Sequence, residues 1–150
     1  MRITTRGRYA LRASIALARI QSESHSAGHP GEDGEIPVSI NQISESELIS
    51  SVFLEQIFFK LRKAGLVNSV RGPGGGFLFV KTPDSITVKE ILEAAGEELN
   101  ITDCDKNAKA CSITGHKCAG HNVWEDMTKI LDDYLGKTTL AMVMARKVPV

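Results

Sequence analysis

The six residues Arg71-Gly72-Pro73-Gly74-Gly75-Gly76 constrain this chain more than any other stretch. Four glycines and a proline in six positions exclude helix, since proline removes a backbone donor and glycine loses the most backbone entropy on ordering. Short runs rich in β-branched and aromatic residues flank them: Leu66-Val-Asn-Ser-Val70 before and Phe77-Leu-Phe-Val80 after. The pattern predicts two antiparallel strands joined by a thin, glycine-built tip. The tip is not a nucleotide loop. It lacks the Gly-Lys-Ser/Thr ending of a phosphate-binding loop, and position 77 is Phe where a dinucleotide loop needs Gly. What Gly72 and its neighbours permit is close approach of backbone to a partner. Arg71, at the base of the tip, is a fixed charge suited to a narrow minor groove.

The residues upstream read as three helices. Thr4 and Thr5 are N-cap types, and Tyr9, Ala13, Ala16, Leu17 and Ile20 fall on one helical face, with the helix ending near Gln21. Ser22 to Gly34, rich in Ser, Gly, His and Glu, reads as an exposed loop, and its histidines, His25 and His29, sit in a context that disfavours a chelating helix. Ser39-Ile-Asn-Gln42 is a capping box opening a short helix with Ile40 and Ile43 inward, followed by a turn around Ser46 to Leu48. A second helix starts near Ser50 or Ser51. Leu54, Ile57, Phe58 and Leu61 form its apolar stripe, Lys60, Arg62 and Lys63 lie on other faces, and Gly65 stops it. Two short helices, a turn and a basic helix end make a helix-turn-helix pattern, and the hairpin directly after it is the wing of a winged helix. Taken alone, the helical pair also fits any small helical bundle.

Downstream, Thr87-Val-Lys-Glu90 is a second capping box, heading a helix with Val88, Ile91, Leu92 and Ala95 on one face. Asn122 to Leu135 reads as a long helix. Val123, Met127, Ile130 and Tyr134 mark one face, and Trp124, Leu131 and Leu135 an adjacent one. That arc is wider than one small core needs and reads as a dimer surface, the alternative being burial within one protomer. Thr138 or Thr139 then caps a last short helix through Met144.

Between these helices lie all three cysteines, in the spacing Cys104-x6-Cys111-x6-Cys118-x2-His121. Three thiolates and one imidazole are a complete ligand set for a metal ion or an iron–sulfur centre. The intervals are long compared with the tight Cys-x2-Cys pairs of structural zinc sites, and suit a centre that is gained or lost. Three unrelated cysteines in a surface loop remain the plain alternative. Three thiols cannot all pair within one chain, and the start has no continuous apolar run of a secretory signal, so a cytoplasmic protein with reduced thiols is expected. No run is long enough to span a membrane. No nucleophile–base pair or open catalytic metal position is apparent, so neither an enzyme nor a small-molecule substrate is expected.

At 150 residues, 42% hydrophobic, the chain has enough apolar material for one domain with an added dimerisation element. Net charge is zero but unevenly spread. Residues 1–81 carry ten Lys/Arg and seven Asp/Glu, and residues 82–150 carry eight and eleven. Arg2, Arg6, Arg8, Arg12 and Arg19 open the chain with no acid among the first 22 residues. The front half is the one suited to a polyanion. The expected fold is mainly α with a small β wing: a winged helix-turn-helix over 1–82, then a cysteine segment and dimerisation helices over 83–150.

Several stretches together resemble the IscR-type family of winged-helix regulators, which includes nitric oxide- and iron-responsive relatives. They are Met1-Arg-Ile-Thr-Thr-Arg-Gly-Arg-Tyr-Ala10, Phe53-Leu-Glu-Gln-Ile-Phe-Phe-Lys-Leu-Arg-Lys-Ala-Gly-Leu-Val67, Ser69-Val-Arg-Gly-Pro-Gly-Gly-Gly-Phe77, and the cysteine element with Trp124 after it. The resemblance covers roughly residues 1–20 and 36–145. It implies a homodimeric transcription regulator with one [2Fe–2S] cluster per protomer, held by Cys104, Cys111, Cys118 and His121. Its operator binding would be controlled by that cluster, at genes of iron–sulfur assembly or stress. The cysteine intervals are one residue longer than in the nearest IscR pattern. Relatives that recruit an acid at position 8 use another ligand set; Arg8 here cannot ligate.

On this reading the partner is double-stranded operator DNA. Ser39, Glu55 and Gln56 address the major groove, Glu55 accepting from a cytosine amino group and Gln56 pairing with adenine. Arg71 enters the minor groove, and Arg2, Arg6 and Arg8 hold phosphates. Ser50, Ser51, Phe53, Lys60 and Gly72 complete the DNA-facing set. Val123, Trp124, Met127, Ile130, Leu131 and Tyr134 form the dimer contact. The rival reading is a DNA-binding module in which zinc replaces the cluster and nothing is sensed.

Overall fold

The structure, a computed structural model, describes residues 2–26, 36–102, 111, 115, 116 and 118–146, with backbone only at 25 and 26. Helix α1 spans Thr5–Ser26. Thr4 caps it, its hydroxyl accepting from the Gly7 N–H at 3.3 Å. Ala10, Ala13, Ala16 and Leu17 are fully buried. Three alanines in that stripe leave room for neighbouring helices to approach closely. α1 runs five residues past its expected end at Gln21. The serines beyond that point donate back to helix carbonyls, Ser22 to Arg19 and Ser24 to Ile20, both at 2.9 Å, and so extend the helix instead of competing with it. The first part of the expected loop is therefore helical. The His25 side chain and His29 lie outside the described residues.

Helices α2 (Ile40–Glu47) and α3 (Ser51–Lys63) follow. The capping box at Ser39 forms as expected, with Ser39 and Gln42 bonding reciprocally. Ser50 caps α3 by accepting from the Phe53 N–H at 3.3 Å. All four residues of the α3 stripe are fully buried. The turn between the helices is tighter than expected, since α2 continues through Glu47. Leu48 makes the reversal at φ 54°, the only non-glycine residue at positive φ among the described residues. Ile49 then plugs the core, 3% exposed.

Strands β1 (Val67–Val70) and β2 (Gly76–Phe79) pair antiparallel, Val67 opposite Phe79 and Val70 opposite Gly76. The tip is closed by the Gly75 N–H donating to the Gly72 carbonyl at 2.9 Å, with Pro73 second and Gly74, at φ 74°, third. That is the residue pattern of a type II turn. Val38, just before α2, adds a one-residue third strand, exchanging backbone bonds of 3.0 and 2.8 Å with Phe77. Gly76 permits this approach: a Cβ there would lie 2.2 Å from the Val38 carbonyl oxygen.

After a 3₁₀ turn (Pro83–Ser85), helix α4 (Val88–Ala95) starts on the expected capping box at Thr87 and ends at Gly96, φ 90°. α4 packs against α1 and α3, so Ile86, Ile91 and Ala95 share one core with the upstream helices. Helix α5 (His121–Lys137) and helix α6 (Leu140–Ala145), capped by Thr139, close the chain. Leu140 of α6 returns to the main core. A bridge pairs Thr87 with Thr139, its bonds running from the Val88 N–H to Thr138 at 2.9 Å and from the Leu140 N–H to Ile86 at 2.8 Å. The architecture is a winged helix-turn-helix with a long helix near its C-terminal end. No helix among the described residues is long and apolar enough to cross a membrane.

Candidate nucleic-acid interface and cysteine segment

The buried stripe of α3 dictates what its other side presents. With 54, 57, 58 and 61 inward, positions 52, 55, 56, 59, 62 and 63 face solvent, and all six are exposed. Glu55 and Gln56 are thus exposed on the face of α3 opposite its buried stripe. Phe53 differs: its ring is half-buried, packed edge-on to Tyr9 at 5.6 Å. Val52 and Phe59, which the DNA-facing set omits, are 65% and 57% exposed. The 3.6-residue period alone would have found them. Arg62 stacks over Phe59 at 5.9 Å and donates to Ser69 Oγ at 3.2 Å, tying α3 to the wing. Arg71 and Gly72 are exposed at the wing tip. Ser50 and Ser39 spend their hydroxyls on helix caps; Ser51 is half-buried in the first turn.

The N-terminal arginines divide by role. Arg2 and Arg8 border an open concavity of about 510 Å³ completed by Ile3, Thr4 and Thr5. Arg8 donates to Thr5 Oγ1 at 3.2 Å. Arg6 and Lys60 instead converge on the C-terminal end of α4, where the helix carbonyls gather negative charge. Their terminal nitrogens would lie 3.7 and 3.4 Å from a Cβ at Gly96. Arg12 serves the scaffold, donating to the Glu47 carboxylate at 3.1 Å and to the Glu47 carbonyl at 2.6 Å, beside the helix-turn-helix turn.

Of the four expected ligands, Cys111, Cys118 and His121 are described, and Cys104 lies outside the described residues. Cys118 and His121 share one turn at the start of α5, the His121 N–H donating to the Cys118 carbonyl at 3.0 Å. Cys118 is exposed and Cys111 half-buried. His121 Nε2 lies 3.9 Å from Glu125 Oε2. Among the described residues no three His, Cys, Asp or Glu side chains are gathered as a metal site. Trp124 folds back over this turn, its indole nitrogen 3.2 Å from the place of a Gly120 Cβ.

On α5, Val123, Trp124, Met127, Ile130 and Tyr134 are all exposed. Leu131 is half-buried and packs within its own protomer against the cluster of Val88, Leu92 and Leu135. Lys89 of α4 pins the helix through Asp132 at 2.8 Å. That hydrogen bond, outweighing partial burial and joined by the charges of Asp132, Glu93 and Asp133, holds the Lys89 amine above its ordinary value.

Comparison with known proteins agrees with this geometry. The chain is 42% identical over 140 residues to the HTH-type transcriptional regulator IscR of Escherichia coli (O1:K1 / APEC), covering 93% of this chain and 78% of that one. It is 41% identical over 141 residues to IscR of Erwinia tasmaniensis, covering 94% and 77%. Its fold is similar to that of CymR, the global cysteine regulator of B. subtilis, with a TM-score of 0.76 at 27% identity over 99% of both chains. It is also similar to T. potens IscR, with a TM-score of 0.68 at 30% identity over 100% of this chain and 94% of that one. These relatives are transcriptional regulators, not enzymes. Residues 3–146 match the family described as Rrf2, iron-dependent transcriptional regulator, and with the winged helix-turn-helix in place this chain belongs to that DNA-binding family.

Proposed function

We propose that this chain binds double-stranded operator DNA as a homodimer in the cytoplasm, and that a [2Fe–2S] cluster on Cys104, Cys111, Cys118 and His121 controls that binding. Residues 1–82 contact DNA and residues 83–150 carry the cluster and the dimer surface. Glu55 and Gln56 read the major groove and Arg71 the minor groove, while Arg2 and Arg8 hold phosphates. Two copies joined along the exposed stripe of α5 present two heads to two half-sites.

The observation that carries this reading is the turn shared by Cys118 and His121. That turn leads directly into the helix that bears the exposed apolar stripe. The donor set fits the group: cysteine thiolates are soft ligands suited to an iron–sulfur centre, and an imidazole can complete the set. When bound, the cluster supplies a redox-active, oxidant-labile centre. The chain's own residues do the rest. The cysteine segment links the end of α4 to the start of α5, so its order governs the N-terminal half of α5. The C-terminal half stays tied to the head through Lys89–Asp132 and the Thr87–Thr139 bridge.

The test is purification without oxygen, followed by visible spectroscopy, metal analysis and footprinting with and without the bound group. A red-brown protein with iron and sulfide, whose footprint changes on cluster loss, is expected. Cys→Ala at 104, 111 or 118 should abolish the cluster and leave a folded dimer. A colourless zinc protein would replace this reading with the zinc-stabilised module. An identical footprint with and without the cluster would remove the sensing role.

A further inference from the structure

Glu97 is the only charged side chain buried among the described residues, at 9% exposure. It lies just past the end of α4, yet its carboxylate sits on the first turn of α1. The Thr4 N–H donates to Oε2 at 3.1 Å and the Gly7 N–H to Oε1 at 3.1 Å, and the Thr4 hydroxyl also donates to Oε1. α1 has no acid in its own first turn, so its unpaired N–H groups and positive dipole end are met from about ninety residues away. Burial pushes the Glu97 carboxyl up, but the Thr4 and Gly7 hydrogen bonds and the Arg6 charge outweigh it and hold the group below its ordinary value. Gly7 is shaped to this contact: a Cβ there would lie 2.7 Å from Cγ, Cδ and Oε1 of Glu97.

The clamp holds more than a helix end. Arg6 lies between Thr4 and Gly7, and Arg2 and Arg8 flank them. Ile3 packs with Leu99 into the cluster beside α5, so both strands of the contact are anchored on the same side. From Leu99 the chain continues to Cys104. We propose that Glu97 is a positioning residue for DNA binding: it fixes the arginine-bearing end of α1 and ties it to the chain entering the cysteine segment. Without it the first turn of α1 frays, and Arg2 and Arg8 lose their common placement around one concavity. The inference rests on the DNA-binding reading above.

The experiment uses a duplex selected by the wild-type protein from a random-sequence pool, with affinity measured between 50 and 200 mM salt for wild type, Glu97→Ala, Gly7→Ala and the double variant. Each single variant should weaken binding and flatten the slope of log K against log salt by about one to two phosphate contacts, with sequence preference retained. The double variant should match Glu97→Ala, because removing the carboxylate makes room for the Cβ added at position 7. Cys111→Ala should flatten the slope of the otherwise wild-type chain and add nothing beside Glu97→Ala. If Glu97→Ala does not fold by circular dichroism, Glu97→Gln is read in its place, and a smaller flattening is expected because one acceptor survives. Unchanged slopes in folded variants, or additive effects of Gly7→Ala and Glu97→Ala, overturn the positioning role. Equal flattening by Cys111→Ala in both backgrounds overturns the tie to the cysteine segment. A wild type that selects no duplex overturns the DNA-binding reading, and this one with it.

Discussion

Helices α3 and α5 carry similar apolar stripes and use them in opposite ways. In α3, Leu54, Ile57, Phe58 and Leu61 are each fully buried against the same protomer, with the Phe58 ring 4.7 Å from that of Phe77. In α5, only Leu135 and Thr128 are buried, while five large apolar or aromatic side chains stay open to solvent. A stripe consumed by its own core leaves the opposite face free to present readable groups, as Glu55 and Gln56 are, beside the exposed Val52 and Phe59. A stripe left open at this length costs solubility unless something covers it. The contrast separates a head whose stability is internal from a helix whose burial waits on another surface, which we assign to a second copy.

The largest expected effect is in the head. Phe58→Ala should cost about 3–5 kcal/mol of protomer stability, read by denaturant unfolding. A loss below about 1 kcal/mol would mean that the α3 stripe is less consumed than its burial indicates. Adjacent positions of α5 sharpen the contrast further. Leu131→Glu places a charge in the cluster with Val88, Leu92 and Leu135 and should cost on the order of 2–3 kcal/mol in the folded protomer. Ile130→Glu, at a site 69% exposed, should leave the protomer folded and yield monomers by light scattering. A folded dimer of Ile130→Glu would move the dimer surface elsewhere.

Arg71→Ala should weaken operator binding by about 1–3 kcal/mol, most at sites with an A/T-rich flank, without changing stability. Unchanged affinity would take Arg71 out of the interface.

The two regions should also yield to opposite extremes of pH. The Glu97 carboxyl is held below its ordinary value. Glu90 is lowered too, chiefly by the Thr87 N–H it accepts from, against the pull of burial. Both contribute stability that is complete above the unfolded value of about 4.3 and lost as pH falls through the lower folded values. Lys89 is raised, so its hold on Asp132 persists below the unfolded value of about 10.4 and is lost as pH rises past it. Acid should therefore loosen the caps of α1 and α4, seen as lost helicity. Alkali should release α5 from α4, seen in the fluorescence of Trp124, the only tryptophan. If acid and alkali move both signals together, the two regions do not act separately. Smallest of all, Leu48→Gly should stabilise the head by roughly 0.5 kcal/mol, the strain relieved at φ 54° being partly offset by the entropy of glycine. A destabilised variant would show that Leu48, 91% exposed, makes a contact that its burial does not reveal.

What could be read from the sequence alone is what depends on neighbours within a few positions. The capping boxes at Ser39 and Thr87 join residues three apart. The α3 stripe is a 3.6-residue period, and the wing tip is a proline–glycine turn. Each of these satisfies its backbone or buries its face by a rule written in consecutive residues. Tertiary structure decided the rest, because there the partner is distant in sequence and carries no local signal. Glu97 meets Thr4 across 93 positions, Lys89 meets Asp132 across 43, and Arg12 meets Glu47 across 35. The serines after Gln21 are ambiguous for a related reason: a hydroxyl can bond back into a helix or leave it, and composition does not say which. On α5 the period defines a wide apolar arc but not which edge faces inward. That edge, with Leu131 and Leu135 on it, is set by Val88 and Leu92 of α4, against which it packs, and by the Thr87–Thr139 bridge that holds the far end of the helix to the head.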